Sequence, residues 1–266
     1  MKRFAYRFEY AIEFATAVTN HAYHLRPLPR EEQFQRIIEE NFCLEAVLPN
    51  GSAAPVRPQQ GMDAFGGKVL YGSIGMAHTS LRAVAEGIVA QRPYRICGTA
   101  HGMYHACTPL TTPSDKMLAF AHALAVKHST ADTGKYARAI ADAVHAHMVY
   151  LPGSTDVATT AAQSFELGSG VCQDYAHITL ALLRHAGIPA RYVCGFLSGE
   201  GATHAWIEYF DSGVWFALDP THGRAVEYGC VKIAHGRDSA DCAVNRGVFT
   251  GRTEQRNRVS IRVEEL

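Results

Sequence analysis

Three residues in the second half of the chain have the types needed for nucleophilic catalysis. Cys172 follows Gly168-Ser169-Gly170 at the predicted start of a helix. A helix N-terminus carries roughly half a positive charge and unpaired N–H groups, and both favour thiolate over thiol. His204 opens a predicted strand, and Asp219 ends another just before Pro220. A thiol, an imidazole and a carboxylate can serve as nucleophile, base and orienting group.

The predicted hairpin brings the imidazole and the carboxylate together. Its turn is Asp211-Ser212-Gly213. If Tyr209 pairs with Val214, His204 lies directly across from Asp219, on the same face and with Cβ atoms about 4.5–5.5 Å apart. A slip of one residue would place the two on opposite faces. The predicted contact therefore depends on that register.

Each of the three residues also has a non-catalytic interpretation. Cys172 could be a buried cysteine in an ordinary helix. The chain has 14 histidines, so His204 could lie at the strand by chance. Asp219 could be a turn aspartate, which is common before proline. Residue type and position alone leave both interpretations open.

The second half of the chain predicts an α+β domain. Ser114 is a candidate N-cap for the first helix, and Gly187 and Pro189 end the last one. Asp174 complements the positive end of that last helix. Helices are predicted over 114–127, 134–148 and 171–185, and strands over 190–197, 203–210 and 214–219.

The N-terminal part of the chain predicts short β-strands. Apolar side chains alternate from Phe4 to Phe14, which places them on one strand face. Three prolines break the connector at 91–113. We therefore predict a β-sandwich domain over 1–110 and an α+β domain over 111–266. Other strands are predicted over 41–48, 68–74 and 80–90, and the loops at 91–113 and 222–245 stay unplaced.

Composition indicates an ordinary globular protein. Of 266 residues, 47% are hydrophobic and 19% charged, which excludes a mainly disordered chain. Lys+Arg and Asp+Glu are both 25, so we predict no dominant nucleic-acid or membrane surface. The charged N-terminus is a poor secretory signal. The seven cysteines include no Cys-x-x-Cys pair, and we expect free thiols in the cytoplasm.

Four segments occur in order in the second half of the chain: 170–177 (GVCQDYAH), 187–193 (GIPARYV), 204–208 (HAWIE) and 218–221 (LDPT). Together they closely resemble the core of the bacterial transglutaminase-like superfamily, whose members are often described as proposed cysteine proteases. The resemblance continues at 236–241 and 246–251. The segments 24–27 and 63–66 resemble the β domain that precedes this core.

The resemblance implies a papain-like fold with a Cys-His-Asp triad and no metal or other cofactor. Cys172 would attack an amide carbonyl to form a thioester. His204 would accept the thiol proton and later protonate the leaving amine, and Asp219 would hold the imidazole. The Cys172 N–H would stabilise the oxyanion.

The sequence leaves the roles of several supporting residues open. The second oxyanion donor could be Gln163, Tyr150 or Gln173. Trp206 could form a wall of the acyl site or simply pack. Cys194 is expected in the core.

A metal site is the weaker alternative for the histidines. His101 and His105 have the i,i+4 spacing of a helical zinc pair, but Gly102 and nearby prolines make a helix there doubtful. No metal is predicted.

The function predicted from these residues is a thiol-dependent hydrolase of peptide or isopeptide amides. Transamidation of protein glutamine with an amine acceptor uses the same thioester. A non-catalytic binding module is the third hypothesis. The expected partner is a peptide or protein amide substrate, and the oligomeric state cannot be read.

Overall fold

The computed structural model describes residues 1–266 as sixteen strands and four α-helices. The strands are β1 Lys2–Leu25, β2 Gln35–Val47, β3 Ala53–Pro55, β4 Gln59–Met62, β5 Lys68–Ile74, β6 His78–Gln91, β7 Ile96–Cys97, β8 Val149–Tyr150, β9 Ser169–Gly170, β10 Ala190–Leu197, β11 Thr203–Asp211, β12 Val214–Asp219, β13 Arg224–Ala225, β14 Cys230–Gly236, β15 Asn245–Thr250 and β16 Gln255–Glu265. The helices are α1 Asp115–Lys127, α2 Thr133–His147, α3 Ala161–Leu167 and α4 Cys172–His185. Two short 3₁₀ helices span Gly102–Tyr104 and Pro109–Thr111.

Strand β1 organises the larger sheet. The predicted alternation is confirmed, since the six apolar side chains from Phe4 to Phe14 are all buried. The first part of β1 pairs with β6 and β16, and its last part pairs with β5 and β15. The register shifts between Glu13 and Val18, and Asn20 has a positive φ. Eight strands thus form one hydrogen-bonded sheet through β1.

The pairing of this sheet departs from the predicted division at residue 110. Strands β15 and β16 come from the C-terminal end of the chain, yet both pair with β1. In the other direction, β7 lies before residue 110 and pairs with β12. The last twenty or so residues therefore complete the N-terminal sheet, and the predicted range 111–266 does not describe one sheet system.

The smaller sheet has the order β13-β12-β11-β10-β14, with β7 on β12. Helix α4 packs against β10 and β11, and α1, α2 and α3 all contact α4. The α+β class and the three predicted helices are confirmed to within one residue at each end. Among the elements around this sheet, α3 and the strands β7, β13 and β14 were not predicted. β13 and β14 lie within the unplaced segment 222–245, and β7 within the unplaced segment 91–113. No helix in the chain is long and apolar enough to cross a membrane.

The two sheets share one core. Phe8 of β1 stacks on Phe196 of β10, with ring centroids 5.4 Å apart. The same continuous cluster of buried side chains includes α4, so the sheet that begins the chain supports the elements that carry the candidate site.

Candidate active site

The start of α4 positions Cys172. Cys172 is the first residue of the helix and is half-buried, as the sequence predicted. Asp174 Oδ2 accepts hydrogen bonds from the Val171 N–H at 2.8 Å and the Thr155 hydroxyl at 2.7 Å. This is the helix-end role predicted for Asp174. A Cβ at Gly170 would lie 2.5 Å from Asp174 Oδ2, so this glycine makes room for the cap.

The hairpin β11–β12 holds His204 near Asp219, but not in the predicted register. Asp211 pairs with Val214 and Tyr209 with Phe216, so the predicted Tyr209–Val214 pair is wrong by two residues. The turn residues Ser212 and Gly213 both have positive φ, 48° and 86°. This conformation fits a two-residue turn that matches strand twist. Because an even shift preserves the faces, the His–Asp contact survives.

His204 is a buried imidazole bound to a carboxylate. Its Nε2 lies 3.0 Å from Asp219 Oδ2. Burial alone would lower the pKa of His204. The hydrogen bond with Asp219 and the nearby thiol of Cys172 outweigh burial and raise that pKa to about 9. The imidazole is therefore protonated on both nitrogens at neutral pH.

Asp219 is a buried carboxylate with an anchored position. Its Oδ1 accepts hydrogen bonds from the N–H groups of Thr221 at 3.1 Å and His222 at 3.3 Å. Burial would raise the pKa of Asp219, but its bonds to His204 and His222 lower that pKa below its ordinary value. The group is thus a charged acceptor at neutral pH.

Trp206 packs behind the imidazole. Its side chain is fully buried, and its ring lies 6.3 Å from that of His204 in a stacked orientation. Its Nε1 donates a hydrogen bond to Tyr94 Oη at 3.3 Å. A fully buried indole cannot form a wall that substrate touches. The predicted choice between wall and packing is decided in favour of packing.

The three oxyanion candidates have different surroundings. Tyr150 of β8 pairs with Gly170 of β9, two residues before Cys172, and is half-exposed. Burial, then the nearby Cys172 and Glu200, raise the pKa of Tyr150. Tyr150 is thus the candidate brought beside the thiol.

Gln163 and Gln173 are engaged elsewhere. Gln163 Oε1 accepts a hydrogen bond from the Thr160 N–H at 2.9 Å, which caps α3. This capping role explains Gln163 without any part in the candidate site. Gln173 Nε2 donates to the Asp156 carbonyl at 3.4 Å, on the side of a groove. The groove has a volume of about 570 Å³ and runs past Tyr192 and Cys194 toward Arg246. Cys194 is buried, as predicted.

Sequence reasoning missed His222 and Glu200. His222 Nδ1 lies 2.7 Å from Asp219 Oδ2, and its Nε2 lies 3.3 Å from Glu200 Oε1. A histidine three residues after an aspartate, across a proline turn, was the available signal.

The residues that could hold a metal are part of the same cluster. Donor atoms of His204, Asp219 and His222 lie within 4.8 Å of one another. The doubt about an α-helix at 101–105 is confirmed. His101 and His105 flank a 3₁₀ turn and do not share one face of an α-helix. His101 Nδ1 accepts the Met103 N–H at 3.1 Å.

Comparison with known proteins agrees with the predicted family. Residues 119–220 match the model of the transglutaminase-like superfamily. An uncharacterised protein of Mycobacterium leprae is 38% identical over 113 residues, which cover 39% of this chain and 40% of the relative. A protein-glutamine gamma-glutamyltransferase of Pseudomonas aeruginosa is 39% identical over 90 residues, 29% of this chain and 13% of that protein.

A solved structure extends the likeness to the whole fold. The crystal structure of a proposed cysteine protease from Cytophaga hutchinsonii superposes with a TM-score of 0.80 at 22% identity. The superposition covers 100% of this chain and 91% of the other. At this identity the likeness is one of fold.

Proposed function

We propose that the protein is a thiol-dependent amide hydrolase, on the premise that residues 119–220 match the model of the transglutaminase-like superfamily. The substrate is a peptide or isopeptide amide. Cys172 is the nucleophile, His204 the base and Asp219 the residue that orients the base. One observation carries the proposal: a half-buried thiol at a helix N-terminus lies near an imidazole that is itself hydrogen-bonded to a buried carboxylate.

Acylation begins from the ion pair of thiolate and imidazolium. Cys172 Sγ attacks the amide carbonyl carbon and forms a C–S bond. The Cys172 N–H at the helix start, with Tyr150 as the proposed side-chain donor, stabilises the developing oxyanion. His204 donates its proton to the leaving nitrogen as the C–N bond breaks, which releases the amine and leaves a thioester.

In deacylation His204 acts as a base, whereas in acylation it acts as an acid. Neutral His204 accepts a proton from water as the water oxygen attacks the thioester carbonyl. The C–S bond breaks, the carboxylic acid leaves, and the proton on His204 restores the ion pair with Cys172. Asp219 keeps Nε2 protonated throughout, so Nδ1 always faces the reacting atoms.

The thiolate–imidazolium pair has a measurable signature. We expect iodoacetamide to alkylate Cys172 below pH 7 faster than it alkylates the exposed cysteines at 43, 97 and 107. Peptide mass spectrometry at each pH from 5 to 9 gives the rate for every cysteine in one sample. In His204→Ala, the rate at Cys172 below pH 7 should fall about tenfold or more.

The exposed cysteines are the internal control for this experiment. Their rates should be the same in the wild type and in His204→Ala. If Cys172 reacts no faster than these thiols at pH 6, the ion pair is absent and the binding-module hypothesis takes precedence.

A second candidate function is protein-glutamine transamidation. The Pseudomonas aeruginosa relative bears that activity in its name, and it is 39% identical to this chain over 90 residues. The thioester is the same, and an amine replaces water as the acceptor. The difference therefore lies only in which acceptor reaches the carbonyl carbon.

Products distinguish the two candidates. With a glutamine-containing peptide and a labelled primary amine, we expect free ammonia and the acid, with little label in the peptide. Stoichiometric incorporation of the amine would contradict hydrolysis and establish transamidation. We propose a reducing compartment for either reaction, since all seven cysteines are free in the structure.

A further inference from the structure

His222 shares an oxygen with the catalytic imidazole. Asp219 Oδ2 lies 2.7 Å from His222 Nδ1 and 3.0 Å from His204 Nε2. On its other side, His222 Nε2 lies 3.3 Å from Glu200 Oε1. Both ring nitrogens of His222 thus face carboxylate oxygens, which only accept hydrogen bonds. Both nitrogens can donate when the ring is protonated.

We propose that His222 is a positioning residue acting through Asp219: by competing for the Oδ2 oxygen, it limits how strongly Asp219 holds the proton on His204. Glu200 keeps the His222 ring in place. This inference rests on the proposed function, because it assigns His222 a part in the catalytic cycle of that same site.

The backbone already fixes the Asp219 carboxylate, so the His222 side chain acts through its hydrogen bond to Oδ2. Oδ1 accepts the N–H groups of Thr221 and His222, and neither bond needs the imidazole. Replacing the ring should leave the carboxylate in place. What changes is the strength of the interaction between the Asp219 carboxylate and His204, because Oδ2 no longer binds a second imidazole.

The other groups around this pair act less directly. Arg224 Nε lies 3.9 Å from Asp219 Oδ2, and its side chain is half-exposed. Cys230 of β14 is buried, and burial together with Asp219 raises the pKa of its thiol, so it is uncharged. Other titratable groups nearby are Cys172 on α4, Tyr150 on β8 and Glu200 in the loop before β11. His145 of α2 packs on the same turn, with its Nδ1 3.2 Å from the Pro220 carbonyl oxygen.

The competition matters most after acylation. In the thioester, Cys172 no longer carries a negative charge, and His204 must be neutral to accept a proton from water. An unopposed Asp219 would keep His204 protonated and slow this step. Without the His222 ring, we therefore expect the acyl-enzyme to accumulate at pH 7 and deacylation to recover as pH rises.

Histidine-ring NMR measures the effect directly. In a Cys172→Ala background, which mimics the loss of the thiolate, we expect His222→Gln to raise the titration midpoint of His204 by about one pH unit, a tenfold change in proton affinity. Glu200→Gln should shift it the same way by less. His204 signals are assigned from their absence in His204→Gln.

His185→Gln is the matched control. His185 is an exposed histidine at the far end of α4, about 20 Å along the helix from Cys172, and its loss should not move the midpoint. A His204 midpoint that stays or falls in His222→Gln overturns the proposal. The same spectra show whether the variant is folded.

Failure of this inference differs from failure of the proposed function. The NMR titration needs no substrate. A shifted midpoint in a protein that turns over no amide would leave the His222 contact standing and remove the hydrolase assignment. Normal turnover with an unmoved midpoint would remove only the role of His222.

Discussion

Cys172→Ala abolishes amide turnover, with an expected loss of at least about a thousandfold. The substitution removes the atom that forms the thioester, so only ground-state binding and the oxyanion donors remain. Half-buried Cys172 leaves little cavity when truncated to alanine, so the variant should fold. Steady-state release of amine from a peptide amide measures the effect.

Cys43→Ala provides the matched control, because Cys43 is an exposed cysteine on β2 of the other sheet. Its turnover should equal that of the wild type. Far-UV circular dichroism and thermal unfolding establish that both variants are folded. Turnover by Cys172→Ala within tenfold of the wild type would contradict the thiol mechanism.

Glu208→Gln should lower the free energy of unfolding by about 3–5 kcal/mol, since it removes the buried anion between Arg191 and Lys232. Only Glu32, 3.2 Å from Lys232 Nζ, then remains as an anion near Lys232. Glu208 is fully buried on β11. Its Oε1 lies 2.6 Å from Lys232 Nζ, also fully buried, and its Oε2 accepts a hydrogen bond from Arg191. Tyr94 donates to the same carboxylate. Urea unfolding at pH 7 gives the difference.

Glu166→Gln is the control for Glu208→Gln. Glu166 forms an exposed pair with Lys116, and removing it should cost less than about 1 kcal/mol. If the two substitutions lower the free energy of unfolding by the same amount, the buried network does not stabilise the fold.

The stabilisation by Glu208 should depend on pH in one direction. Burial alone would raise the pKa of Glu208, but Arg191 and Lys232 lower it from 4.5 to about 2. A carboxyl whose pKa is lower in the folded state stabilises the fold above its unfolded pKa. The difference in free energy of unfolding between the wild type and Glu208→Gln should therefore be largest above about pH 4.5 and disappear as the pH falls toward 2. A constant difference across this range would contradict the assignment.

This network also supports the candidate site. Tyr94 donates to Glu208 and accepts the indole N–H of Trp206, whose ring lies beside that of His204. A buried ionic cluster thus lies beside the candidate site on β11, the strand that carries His204, and we expect its loss to disturb the packing of the imidazole.

The sequence by itself determined most local elements and indicated Cys172, His204 and Asp219 as the candidate triad. Ser114 starts α1, Gly187 follows α4, and the alternation from Phe4 to Phe14 marks β1, because caps, breakers and periodicity act over a few neighbouring residues. The position of Cys172 at a helix start left its role open, and the resemblance carried by the ordered segments favoured the catalytic interpretation. The family-model match over residues 119–220 agrees with that resemblance.

Only the tertiary structure decided which distant strands pair and how the site is finished. β16 joins β1 across more than two hundred residues, and no local pattern encodes such a partner. The turn at Ser212-Gly213 set the hairpin register two residues from the predicted one, because backbone conformation, and not side-chain type, fixes which residues face each other. The contact of His222 with Asp219 likewise follows from the fold of the turn after β12, which brings a second imidazole to the oxygen that His204 uses.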